Sequence, residues 1–182
     1  MKSVIATSVL AIALLGGATA HAQVSANPTL SPGMVASKDT RSPDPAQVKS
    51  GDYMLEPNHG RVLWTLSHQG YSHFFAVLAD NKAILNLDAQ NPEKSKLDVT
   101  LNMASVNPLV PADHFLPLLK SERIFNVAKF PTASFKSTKI TRTAPNKATV
   151  TGDLTFLGAT KPIDLMVTFN QSGEGPAPGY KV

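Results

Sequence analysis

The sequence has no cysteine, one tryptophan among 182 residues, and only 16% charged side chains. Without thiols there is no disulfide to staple the fold, no thiolate to ligate a metal and no cysteine nucleophile. The folded state must therefore rest on its apolar core. No second long apolar run follows the N-terminal one, so no later helix is expected to cross a hydrocarbon layer of about 30 Å. Gly-x-Ser-x-Gly and His-Glu-x-x-His patterns are absent, and the acidic residues fall in turns or on polar faces, so no catalytic constellation is assembled and no enzyme is expected. A formal net charge of +4 is small, and its lysines and arginines are scattered. That excludes a basic stripe for nucleic acid and leaves at most a loose attraction to anionic membrane surfaces.

The N-terminus carries an export pattern. Lys2 precedes an uncharged apolar run over residues 4–15, and Ala20-His21-Ala22 supplies small residues before a cut between Ala22 and Gln23. With no cysteine after the cut, lipidation is excluded. Residues 1–22 are thus read as a cleavable signal, leaving 160 residues with net charge +3, enough for one domain with a single core. Residues 23–52 are rich in Pro, Ser and Ala, with prolines at 28, 32, 43 and 45. So few large apolar side chains cannot offset the entropy of ordering, and a flexible leader is expected there.

From Tyr53 onward the pattern is alternation. Leu97, Val99, Leu101 and Met103 alternate with Lys96, Asp98, Thr100 and Asn102, the cleanest period-two signal in the chain. Val62, Trp64, Leu66 and His68 share one face of another segment. Ala148, Val150, Gly152, Leu154 and Phe156 share a third, and Ile163, Leu165, Val167 and Phe169 a fourth. Weaker strands are expected over 74–78, 83–88 and 132–142, about seven in all, with tight hairpins at 79–82, 144–147 and 158–160. Residues 108–131 alternate poorly and read as a loop with short helical turns, a lid or plug, since Pro117 argues against a long helix and Ser121 can start a second turn. Strands with one apolar face each are solved by a sandwich or a barrel.

Several segments resemble the YceI-like family of periplasmic proteins. YMLEPNH at 53–59 is similar to the family's opening strand, and HQGYS at 68–72 to its His-x-Gly-x-Ser turn. SERIFNVAKFPTASF at 121–135, followed by Ser137 and Thr138, and VTGDLTFLGATKPIDLMVTF at 150–169 are the specific matches. Glu56 stands where the family has Asp, Gly60 where it has Ser or Thr, and Ala76-Val77-Leu78 where it has Gly-x-Phe. The resemblance implies an all-β, antiparallel lipocalin-like β-barrel with a short helical or loop insertion over residues 53–182. It also implies closing strands beyond Tyr180, so that the domain reads as incomplete at its C-terminus. The function it implies is a periplasmic carrier for a polyisoprenoid or quinone-type lipid, with no cofactor. The alternative is a ligand-free structural or stress-associated interaction module.

The candidate wall of the lumen is Val62, Trp64, Leu66, Leu97, Val99, Leu101, Phe135, Leu154, Phe156, Leu165, Val167 and Phe169. Periodicity alone equally allows these side chains to fill the barrel themselves. His68, on the face of Trp64 and Leu66, is read either as a contact to a lipid head group or as a histidine bonded to its turn. His59, His73 and His114 lack helical i, i+4 spacing and are expected in solvated loops, so no metal site is expected. The expected partners are an apolar lipid and, transiently, a membrane surface. A homodimer is left open, and nucleic acid is excluded.

Overall fold

The computed structural model describes residues 41–110 and 112–173. The expected signal segment, the leader up to residue 40 and the chain after residue 173 lie outside the described residues. The strands are β1 (Gly51–Met54), β2 (Val62–His68), β3 (Ser72–Leu78), β4 (Asn81–Leu87), β5 (Lys96–Asn102), β6 (Val106–Pro108), β7 (Thr132–Ala144), β8 (Lys147–Phe156) and β9 (Ala159–Thr168). One α-helix, α1 (Ala112–Lys120), follows β6. The strands form a six-stranded antiparallel sheet in the order β1-β4-β5-β7-β8-β9 and a three-stranded one in the order β2-β3-β6.

Alternation in the sequence becomes a two-faced sheet. In β5, Leu97, Val99 and Leu101 turn inward and Lys96, Asp98 and Thr100 outward. Register carries the apolar face across neighbouring strands, with Val99 opposite Ala83 and Phe135, Phe135 opposite Leu154, and Val150 opposite Leu165. The inner faces of both sheets contribute to one core, including Val62, Ala76 and Leu78 from the small sheet and Val99, Leu101, Phe135 and Leu165 from the large one.

Two irregularities shape the long β7–β8 ribbon. Thr138 has no partner between the pairs Ser137↔Gly152 and Lys139↔Thr151, so the strand bulges there and the inward parity passes from Phe135 and Ser137 to Ile140. Opposite the bulge sits Gly152, where a Cβ would run into the Phe135 ring and the Lys136 carbonyl. The β8–β9 hairpin turns on Leu157 and Gly158, with φ of +50° and +76°. Two successive left-handed residues suit a type I′ turn, whose twist matches that of the strands.

One expectation is corrected and another is sharpened. Ala79-Asp80 is not a hairpin loop. It carries the chain from β3 of the small sheet to β4 of the large one. The corner is fixed by partners distant in sequence: the Ala79 amide donates to Ser105, and the Asn102 amide and side chain donate to the Asp80 carbonyl and carboxylate. Residues 112–120 form one nine-residue helix through Pro117. A proline there removes one backbone bond, and the helix is short enough to tolerate that while Leu119 is buried. Ser121 does begin a further turn, its hydroxyl donating to the Leu118 carbonyl and accepting from the Arg123 amide.

The antiparallel all-β architecture is as expected, but the described strands do not form a ring. β2 and β9 each have a neighbour on one side only, whereas a closed barrel needs two for every strand. The body begins upstream of Tyr53. β1 starts at Gly51, the Tyr53 hydroxyl donates to the Lys49 carbonyl, and Ser42 pairs with Ser172 through backbone bonds of 2.7 and 2.9 Å. This bridge ties the chain before β1 to the chain after β9, the two outermost strands of the large sheet.

Gly152→Ala is expected to destabilise the fold by about 2 kcal/mol, because the Phe135 ring must leave its place or the bulge must open. Urea unfolding checks this, with Gly70→Ala, at φ +80° and with open space where its Cβ would stand, as a control for left-handed strain alone.

Candidate functional site

Thirteen residues were expected to face a ligand, and they fall into three groups. Val62, Val99, Leu101, Phe135 and Leu165 lie in the buried core. Trp64, Leu97, Leu154, Phe156 and Val167 are partly buried and packed against it, while Phe169 lies half-buried just past β9, its amide bonded to the Asn146 carbonyl. Leu66 and His68 are exposed toward the tip of the β2–β3 hairpin. The alternation of β2 is thus real, but burial fades along it, from Val62 at 4% to Leu66 at 38% exposed. At the tip the His68 carbonyl accepts from the Tyr71 amide.

An aromatic chain joins the sheets, and much of it was not among the expected residues. Phe115 of α1 lies 5.6 Å from Phe74, Phe74 lies 5.8 Å from Trp64, Trp64 lies 5.3 Å from Phe125, and Phe125 lies 6.0 Å from Phe156. Three of these four pairs meet edge to face, the arrangement that the ring quadrupole favours. Phe74 escaped the sequence reading because β3 is apolar on both faces, with Phe75 and Val77 turned outward beside Phe74 and Ala76. Phe115 and Phe125 lie in the poorly alternating segment, where no periodicity points to a face.

The interior is nearly free of polar groups. Among the described residues the buried polar side chains are Asn81 and Ser95, and none is charged. No group of three or more His, Cys, Asp or Glu side chains among the described residues is placed to hold a metal. His59, His68 and His73 are exposed. An open hollow of about 320 Å³ is bordered by Thr151, Pro162, Ile163 and Asp164, none of them among the expected wall residues.

The titration shifts lie at turns. The Asn58 backbone amide, aided by the His59 side chain and amide, holds the Glu56 carboxyl below its ordinary value. Asp88 is lowered chiefly by the Asn91 backbone amide, in the loop that leads into the Pro92–Lys94 turn. Glu56 therefore fills its turn with the same acceptor chemistry that an Asp would bring, with one more methylene.

These features define an all-β protein with an apolar interior between two antiparallel sheets. The YceI-like domain model matches residues 53–180, and the chain belongs to the YceI-like family. It is 37% identical to a UPF0312 protein of Ectopseudomonas mendocina over 139 residues, covering 74% of this chain and 71% of the relative. A UPF0312 protein of Pseudomonas syringae pv. syringae is 38% identical, with coverages of 74% and 70%. Among solved structures, the YceI protein of Campylobacter jejuni aligns with a TM-score of 0.53 at 28% identity, over 61% of this chain and 64% of that one. BcnA of Burkholderia cenocepacia aligns with a TM-score of 0.55 at 21% identity, over 64% and 70%, a likeness of fold alone.

The lowered Glu56 carboxyl sets a pH dependence. Its folded value lies below the ordinary 4.5, so ionised Glu56 stabilises the fold above that pH, and the contribution is lost as pH falls through the folded value. Glu56→Gln is expected to lower stability at pH 7 and to flatten the loss below pH 4.5. Thermal melts of both proteins across that range test it, and parallel curves would count against it.

Proposed function

We propose that the chain is a carrier for a long apolar lipid such as a polyisoprenoid or a quinone-type lipid, and not an enzyme. It is exported to the periplasm through a signal cut after Ala22, and its interior forms the lumen of a lipocalin-like barrel. The observation that carries this reading is the incomplete sealing of the interior at one end. Leu66 pairs with Phe74, which also touches Phe115, and both Leu66 and Phe115 remain exposed. A core that served only stability would bury these groups; a lipid entering there would cover them.

The energetics suit reversible uptake. Each CH₂ withdrawn from water stabilises by about 0.8 kcal/mol, so one five-carbon prenyl unit gives roughly 3–4 kcal/mol before association costs. The donor and acceptor of the lipid are bilayers as apolar as the lumen, which makes exchange nearly neutral. Membrane contact is supported by the outward face of the small sheet, where Leu63 and Phe75 are exposed, and by Leu109 and Val110, exposed just past β6. No carboxylate occurs anywhere in β2, β3 or β6 to repel an anionic surface.

The ligand-free structural module has one observation in its favour. Val99, Leu101, Phe135 and Leu165 are each at most 7% exposed against their own neighbours, so that part of the interior is full. Native mass spectrometry of the full chain isolated from periplasm separates the two readings. A co-purified prenyl lipid is expected, and delipidated protein that never takes one up would overturn the carrier. Leu66→Arg should keep its melting behaviour, being exposed, yet weaken uptake of a prenyl probe about tenfold by placing a charge beside Phe74. Unchanged uptake would remove Leu66 from the path.

A further inference from the structure

Asn81 opens β4 at 4% exposure and pairs with Leu101, so its side chain shares the inner face with a wall residue. Its Nδ2 donates to the Leu78 carbonyl at 2.7 Å. That bond fixes the amide's orientation, because exchanging O and N would set two oxygens against each other. The side-chain oxygen Oδ1 is then buried without a hydrogen-bond partner, the one such side-chain atom among the described residues. Nearby polar groups are already committed: the Asp80 carboxylate to Asn102, and the Ser105 hydroxyl to the Asn102 carbonyl and the Ala79 amide. A buried acceptor left unmet in an apolar interior is costly and uncommon.

We infer that Asn81 Oδ1 accepts a hydrogen bond from a hydroxyl of the lipid held between the two sheets. This rests on the carrier reading and narrows it to a ligand class. An amide oxygen can only accept, so the site favours isoprenoids that donate, such as a prenyl alcohol or the hydroquinone form of a quinone lipid. It disfavours hydrocarbons, ethers and oxidised quinones, which offer no donor. The apolar wall contributes affinity for any prenyl chain, and Asn81 reads the polar end.

Farnesol and its methyl ether share one prenyl chain, the ether lacking that donor and adding one methyl, and the single tryptophan, Trp64, lies within the aromatic chain as a fluorescence reporter. Titrating the full exported chain with each is expected to give about five- to tenfold tighter binding of the alcohol, the worth of one net hydrogen bond. In Asn81→Leu, which keeps the branched shape and removes the acceptor along with the bond to the Leu78 carbonyl, the preference for the alcohol should be lost. Equal binding by the wild-type chain, as a water held on Oδ1 would produce, overturns the inference and leaves the carrier standing. A preference retained in Asn81→Leu overturns it as well, assigning the hydroxyl to another group. Failure of both ligands to bind the wild type removes the carrier reading and this one together. Should Asn81→Leu not fold, Asn81→Ala, which also removes the acceptor, takes its place, and the same two outcomes decide.

Discussion

The packing of one apolar sheet face on another is the interaction on which the rest of the molecule depends. Neither sheet could remain folded with its inner face in water, and no disulfide is available to hold the two together. The aromatic chain from Phe115 through Phe74, Trp64 and Phe125 to Phe156 spans the join, linking α1, the small sheet, the segment after α1 and the last residue of β8. Edge-to-face pairs of this kind add about 0.5–1.5 kcal/mol each beyond their burial. Their geometry also restricts how the small sheet can sit. The helix belongs to the same device, since it carries Phe115 onto Phe74 and buries Leu119.

The strands were legible where one face is apolar and the other polar. β5 and the β8–β9 hairpin follow their alternation closely, and the turn at Pro145-Asn146 falls where turn chemistry placed it, while the Leu157-Gly158 turn begins one residue before the expected 158–160, Ala159 and Thr160 being already in β9. β1 and β6 are short, at four and three residues, below the length at which a period can be counted. The sheet assignment of β3 and β4 was illegible for a different reason. Ala79-Asp80-Asn81 has the composition of a hairpin turn, and what makes it a crossing is its bonding to Asn102 and Ser105, more than twenty residues away. Local chemistry sets a turn, but distant partners decide which sheet receives the next strand. The candidate site was legible to the same extent. Wall residues on alternating strands lie inward or packed on the core, whereas Leu66 and His68 continue the period of β2 past the point where anything covers it.

That fading of cover along β2 bears on how a wall of this kind can work. A fully sealed apolar interior would be stable and inaccessible, and one open along its length would aggregate through its edges. Here Val62 is closed, Trp64 half closed and Leu66 open. The buried end anchors the small sheet while the exposed end stays free to pack against something else. An interior lined only by aliphatic and aromatic groups cannot distinguish one prenyl chain from another of equal length, because area is all that it measures. Discrimination has to come from a polar group, and polar groups are costly inside unless paired. The protein keeps such groups almost wholly outside the core, on turns held by Glu56 and Asp88. Of the two buried exceptions among the described residues, Ser95 accepts from the Asp88 amide, and Asn81 lies at the corner where the chain passes from one sheet to the other. In the carrier proposed, specificity would therefore be concentrated in very few atoms and the affinity spread over many.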